Sequence, residues 1–336
     1  MFSSSRAVVA RQYLASPSLS SQFLLLTRPT VAAASRIRRG FATVPLVYDH
    51  HAPAKPTVPD EKTSPILFLH GLFGSKKNNR SISKALARDL GRHVYALDLR
   101  NHGESPHDHR HDYMAMAADV VEFISQHGLE QPTLIGHSMG AKTAMTVALG
   151  HPTLIANLVS VDNAPVDARL ESDFARYVQG MKKVDAANVA RQAEADKILE
   201  PYEKSLTIRQ FLLGNLHRPK TDADTQKFRV PLDVLGKALD HLGDFPYKDT
   251  SQVRFERPAL FIRGTRSKYV PDEVIPVIGQ FFPRFELVDV EAGHWLISEN
   301  PEAFRQGSFL HSSFPDVFVS WSVSGCERGR SPGMLT

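Results

Sequence analysis

The sequence predicts the α/β class, a mostly parallel, doubly covered sheet with a helical cap inserted between strands, and three observations carry that expectation. Short apolar runs such as Ile66-Leu67-Phe68-Leu69 alternate with segments of helical period, the pattern of a parallel sheet buried on both faces. Gly136-His137-Ser138-Met139-Gly140 sits between a strand-like run, Thr133-Leu134-Ile135, and a helix-like one from Met139 to Leu149. Between about residues 164 and 253 the strand signal disappears, and it resumes with Ala259-Leu260-Phe261-Ile262. A helical insertion so placed reads as a cap over the carboxyl edge of the sheet, where ligands bind in open α/β folds.

In chain order, residues 1–41 come first. They carry Arg6, Arg11, Arg28, Arg36, Arg38 and Arg39, many serines and alanines, and no acid; the first acid is Asp49. That composition is the one expected of a mitochondrial transit peptide, with a matrix address for the mature protein. Arg39-Gly40-Phe41 before Ala42 resembles a processing site two residues past an arginine. The run Phe23-Leu24-Leu25-Leu26 is too short for a membrane span. Because these six arginines exceed the whole chain's net charge of +4, the remaining body is slightly acidic, which argues against a nucleic-acid partner. A single cysteine, Cys326, excludes a disulfide framework and a thiolate metal site. At 336 residues, 42% of them hydrophobic, the chain is long enough for one large domain with an insertion.

A proline-rich polar linker, Ala52 to Ser64, precedes the strand Ile66 to Leu69. Ile82, Leu86 and Leu90 then mark a helix face, His93 to Leu97 a strand, and Val120, Val121 and Ile124 a second helix. The strand ending at Ile135 and the strand Leu158 to Val161 follow. In the cap, Phe174-Tyr177-Val178-Met181, Ile208-Phe211-Leu212 and Leu232-Leu235-Leu239 are spaced for helices. The core is therefore expected over 42–163 and 254–306, with the cap over 164–253. Phe285 to Val290 alternates as an edge strand, and Asn300 to Arg305 begins a closing helix. From Gly307 that pattern breaks, and Val317, Val319, Trp321 and Val323 alternate among serines and glycines. Residues 307–336 read as the product of a retained intron or a misdrawn gene boundary.

The chemistry starts at Ser138. A strand-to-helix turn this sharp leaves no room for side chains at 136 and 140 and holds the serine exposed, the context of a nucleophile elbow. The helix that follows aims its N–H groups and positive end at charge forming beside the serine oxygen. A serine hydroxyl needs a base within hydrogen-bond reach, and the base needs an acceptor that fixes its tautomer. In this strand pattern the partners follow in the order serine, acid, histidine. His294, in Glu291-Ala292-Gly293-His294-Trp295 just past the last strand, is the candidate base. The tract His107-Asp108-His109-Arg110-His111-Asp112 reads as a solvated loop rather than a metal site, and no phosphate loop or G-x-G-x-x-G motif calls for a nucleotide cofactor.

Four motifs in this order carry a family resemblance: His70-Gly71-Leu72-Phe73-Gly74-Ser75-Lys76, Asp98 to His107, Gly136-His137-Ser138-Met139-Gly140-Ala141-Lys142, and Gly293-His294-Trp295. From Ser64 to Arg305 the chain resembles the α/β-hydrolase superfamily, and more narrowly its mitochondrial abhydrolase domain-containing protein 11 branch with the related yeast alcohol acetyltransferases. The resemblance implies an oxyanion hole built from the backbone N–H groups of Leu72 and Met139, with Phe73 as the near alternative. It also implies that Asp98 to Ser105 shapes a supporting loop, with His70 and His102 structural. At the acid the sequence departs from the superfamily pattern: in Gly264-Thr265-Arg266-Ser267-Lys268-Tyr269, Ser267 stands where the aspartate is usual. Asp162, at the end of the strand Leu158 to Val161, is the favoured substitute, with Asp272 and Asp233 as further candidates.

The resulting expectation is a mitochondrial serine hydrolase of carboxylic ester or thioester bonds. It would work on a small-molecule acyl substrate through Ser138, Asp162, His294 and an acyl-enzyme, without metal or cofactor. Two alternatives stay open. One is an acetyl-CoA:alcohol acetyltransferase using the same acyl-enzyme. The other is a non-catalytic protein that binds mitochondrial dehydrogenase complexes.

Overall fold

A strand whose every residue is apolar can only sit where both faces are covered, and β2 (Ile66–Leu69) is buried along its whole length at the centre of the sheet, beside the equally buried β4 (Thr133–His137). The computed structural model describes residues 42–53, 64–168, 173–220 and 224–309. The expected transit peptide, most of the linker, Cys326 and the tail beyond Phe309 lie outside the described residues. The other strands of the main sheet are β1 (Tyr48–His51), β3 (Val94–Leu97), β5 (Asn157–Val161), β8 (Ala259–Gly264) and β9 (Phe285–Val290). Their order is β1-β3-β2-β4-β5-β8-β9, and every pairing is parallel except that of β1 with β3. The mostly parallel sheet expected from the sequence is therefore present, as is β9 at the edge.

The period of two along β2 divides the core. Leu67 and Leu69 belong to the layer formed with α2 (Tyr113–Gln126) and α3 (Met139–Gly150). Ile66 and Phe68 belong to the opposite layer, with α1 (Arg80–Leu90) and Phe304 of α10 (Pro301–Phe309). Between β5 and β8 the chain forms α4 (Asp173–Ala186), α5 (Gln192–Leu199), α6 (Leu206–Leu213) and α7 (Leu232–Leu242). After β8 come α8 (Ile275–Phe281) and, past β9, the short α9 (Leu296–Glu299). Among the described residues no helix is long and apolar enough to cross a membrane.

Three features differ from the sequence expectation. β1 was not anticipated, because an edge strand of sequence Tyr-Asp-His-His carries no apolar run; its Tyr48 ring packs on Tyr95 and Phe123. The inserted segment is not wholly helical: β6 (Leu216–His217) pairs antiparallel with β7 (Lys227–Phe228), two-residue strands too short to show a period. The closing helix α10 runs through Gly307 to Phe309, past the point where its apolar pattern breaks.

The turns leaving β2 and β3 are tied together by a buried ion pair. Asp98, fully buried, accepts from the Lys76 backbone N–H at 2.7 Å, the Lys76 ammonium at 2.7 Å and the Glu104 N–H at 2.9 Å. Gly103, at φ +56°, passes so close that a Cβ there would lie 2.1 Å from the Asp98 carboxyl carbon. Removing the cation alone would strand a buried carboxylate, which typically costs about 3–5 kcal/mol. Lys76→Met is expected to lower the unfolding free energy by about that amount in a urea titration.

Candidate active site

At the end of β4 the chain must reverse into α3 within one residue, and Ser138 takes up that turn at φ 54°, ψ −115°, a conformation L residues rarely adopt. The flanking glycines are dictated by contact. A Cβ on Gly136 would lie 2.2 Å from the Gly140 carbonyl oxygen, and one on Gly140 would lie 2.4 Å from that of Leu69. The serine is held in place by its N–H donating to the Val161 carbonyl at 2.9 Å and by the Asn163 side-chain amide donating to the Ser138 carbonyl at 3.1 Å.

His294, in the loop between β9 and α9, reaches Ser138 from the far edge of the sheet. Its Nε2 lies 2.9 Å from Ser138 Oγ, and its Nδ1 lies 2.6 Å from Oδ2 of Asp162. Asp162 follows β5, at φ 53° and fully buried. A carboxylate can only accept, so Nδ1 carries the ring proton and Nε2 is left to accept from the serine hydroxyl. The carboxylate also accepts from the Gly264 N–H at 3.0 Å and the Ser267 hydroxyl at 2.5 Å. Ser267, at the position where an acid is usual, thus supports the acid from the neighbouring strand end. Tyr269 stacks on the His294 ring at 4.1 Å.

The other candidate acids stand elsewhere. Asp272 opens a short 3-10 turn and pairs with Arg263 at 2.6 Å. Asp233, on α7, pairs with Lys182 at 2.6 Å. Both are exposed and neither is bonded to His294.

Of the two amides considered beside Ser138 on the β2 side, that of Phe73 is committed: it donates to His102 Nε2 at 3.1 Å, with Phe73 at φ 60°. This leaves Leu72, together with Met139 at the first position of α3, whose N–H has no partner within the helix. Gly71 brings this loop against the serine, since a Cβ there would lie 3.2 Å from Ser138 Cβ. His102 donates from Nδ1 to the Arg100 carbonyl, and His70 donates from Nδ1 to Gly71 and accepts at Nε2 from the Leu99 N–H at 3.0 Å. Burial holds both rings below the usual histidine range, that of His102 well below it. Neutral and fully bonded, they brace the loop rather than take part in proton transfer. The His107 to Asp112 tract leads into α2, where Asp112 caps the helix by accepting from the Ala115 N–H at 3.0 Å. Among the described residues no three His, Cys, Asp or Glu side chains are grouped as metal ligands.

His137 is the neighbour that sequence reading missed. Its Nε2 donates to the carbonyl of His294 at 2.8 Å, fixing the backbone of the candidate base from the candidate nucleophile's own strand. The only hint was its place inside the G-x-S-x-G run. A cleft of about 1030 Å³ begins at Gly71, His137 and Trp295 and is walled by Ile82 of α1 and by Ile208 and Phe211 of α6.

Comparison with known proteins identifies the fold family. Residues 64–301 match the family model described as the alpha/beta hydrolase fold. A probable alcohol acetyltransferase of Saccharomyces cerevisiae is 44% identical over 70% of this chain and 73% of its own length. An sn-1-specific diacylglycerol lipase ABHD11 of Xenopus laevis is 43% identical over 71% of this chain and 77% of its own length. Among solved structures, a marine microorganism esterase superposes with a TM-score of 0.71 at 32% identity, covering 79% of this chain and 98% of that one.

The protonation of His137 sets an acid limit. Burial, and then the proximity of His294, push His137 down to about 4 from an ordinary value of 6.5. Below pH 6.5 the unfolded chain therefore takes up a proton that the fold resists, and stability declines until about pH 4, where the folded ring protonates as well. One such group contributes up to about 1.4 kcal/mol per pH unit across that window. The melting temperature of the wild type is expected to fall more steeply from pH 6.5 to pH 4 than that of His137→Gln; parallel curves would contradict this.

Proposed function

Since the chain belongs to the alpha/beta hydrolase fold family and is a serine ester hydrolase of that family, we propose that Ser138, His294 and Asp162 are its nucleophile, base and acid. The observation that carries this reading is the unbroken hydrogen-bonded line from Asp162 Oδ2 through the imidazole to Ser138 Oγ, at 2.6 and 2.9 Å.

The reaction follows from that line. Ser138 Oγ attacks the acyl carbonyl carbon as His294 Nε2 takes the hydroxyl proton. The Asp162 carboxylate steadies the imidazolium, and the oxyanion lies against the Leu72 and Met139 N–H groups, where each donor is worth about 3 kcal/mol in the transition state. As the intermediate collapses, the bond to the leaving alcohol or thiol breaks and His294 returns the proton to it. Water then attacks the acyl-serine, His294 again accepting a proton, and the carboxylic acid and free Ser138 are released. The cleft at Gly71, His137 and Trp295 would hold the apolar part of the substrate. The arginine-bearing, acid-free composition of residues 1–41 supports a mitochondrial matrix location for this activity.

The relative at 44% identity favours a second reading of the last step, in which an alcohol rather than water resolves the acyl-enzyme and acetyl-CoA is the donor. Incubation with acetyl-CoA, with and without ethanol, separates the two by whether ethyl acetate forms. A non-catalytic role in dehydrogenase complexes is disfavoured by the complete hydrogen-bonded line. A fluorophosphonate probe is expected to label the wild type and not Ser138→Ala; an unlabelled wild type would overturn the enzymatic reading.

A further inference from the structure

Lys142 lies one helical turn beyond Ser138 on α3, in the same motif, and the proposed mechanism gives it no part. It is buried, 2% exposed, and among the described residues its ammonium group is hydrogen-bonded to backbone carbonyls rather than to a carboxylate. Nζ donates to the carbonyls of Gly243 at 2.9 Å and Asp244 at 3.1 Å, just past the C-terminal end of α7. Tyr113 adds a third tie: its hydroxyl donates to the Leu242 carbonyl at 2.8 Å, and its ring lies 5.6 Å from Nζ. The Ala168 N–H also donates to Gly243. The carbonyls that a helix leaves unpaired at its C-terminus, and its negative dipole end, are thus met by a cation and a phenol from the core.

Burial, offset in part by Asp167 and Asp244, draws this ammonium down to about 8. A site that served packing alone would be better filled by an apolar side chain. The end so held is not remote from the chemistry. α7 packs on α4, and Phe174 of α4 meets Phe73 of the oxyanion loop with ring centroids 6.2 Å apart. Asn215, at the end of α6, donates to the Phe73 carbonyl at 2.8 Å. The inserted helices therefore rest on the loop beside Ser138, and Lys142 fixes one end of them.

We propose that Lys142 is a positioning residue that pins the C-terminal end of α7 to the nucleophile helix and thereby sets the size of acyl group admitted to Ser138. This rests on the serine hydrolase reading. With the pin removed, the inserted helices would yield to longer chains, and discrimination between short and long acyl groups would narrow.

The test compares kcat/KM for 4-nitrophenyl acetate and 4-nitrophenyl decanoate in the full chain, its Lys142→Met and Lys142→Arg variants, and Tyr113→Phe. Lys142→Met is expected to move the acetate-to-decanoate ratio toward decanoate by about fivefold or more, with Lys142→Arg lying closer to the wild type. A residue that served stability alone would lower the melting temperature and leave the ratio unchanged, which would overturn the proposal. Should Lys142→Met fail to fold, Tyr113→Phe removes one tie and must shift the ratio in the same direction; an unchanged ratio again overturns it. If the wild type hydrolyses neither ester and takes no fluorophosphonate, the hydrolase reading fails separately. The pin itself is then read by hydrogen exchange, where Lys142→Met must speed exchange over residues 232–244 relative to α3, and equal protection would dispose of it.

Discussion

The hydrogen bond between Asp162 and His294 joins parts of the chain that are otherwise unrelated, and the rest of the site is arranged around it. Asp162 is 132 residues from His294 in sequence. They meet because β5, β8 and β9 are consecutive strands, so the loops leaving their carboxyl ends fall side by side. The ladder continues past the strand ends: Ser138 donates to Val161, and Asp162 donates to Ile262. The spacing of Ser138 and Asp162 is thus set by the sheet itself, with His294 brought in by the short loop after β9, an arrangement suited to pre-organised proton transfer.

That geometry is held against local cost. Ser138, Asp162 and Phe73 all stand at positive φ, near 54°, 53° and 60°, in a region that favours glycine. Each is over-determined by its surroundings. Ser138 is bonded to Val161 and Asn163, Asp162 accepts from three donors, and Phe73 is tied to His102 and Asn215. Buried neutral histidines take up the remaining slack, His70 and His102 under the loop that carries Phe73 and His137 behind His294.

Much of this was legible in the sequence because its signals are local. The central strand β2 is an unbroken apolar run, and Gly136 and Gly140 announce a close approach that the contact distances then explain. The order of serine and histidine likewise pointed to residues that the structure brings together. What was not legible depends on tertiary partners. β1 is polar and is held by pairing with β3 and by the Tyr48 ring packing on Phe123, and the β6–β7 pair is two residues long. Four motifs could be aligned on the chain, but nothing in them says that the Phe73 amide is committed to His102. The part played by Ser267 was hidden for a related reason: a serine in an acid's usual place looks like a loss until the carboxylate is seen to arrive from the adjacent strand.

The central claim is that Asp162 orients His294 for Ser138, and the turnover number of Asp162→Asn with an ester substrate tests it most directly. Replacing the carboxylate by an amide favours the wrong imidazole tautomer, which in a serine triad lowers kcat by about ten-thousand-fold at unchanged geometry. A folded Asp162→Asn enzyme that turned over within about tenfold of the wild type would contradict the account, since so small a loss is not what removal of the orienting acid produces.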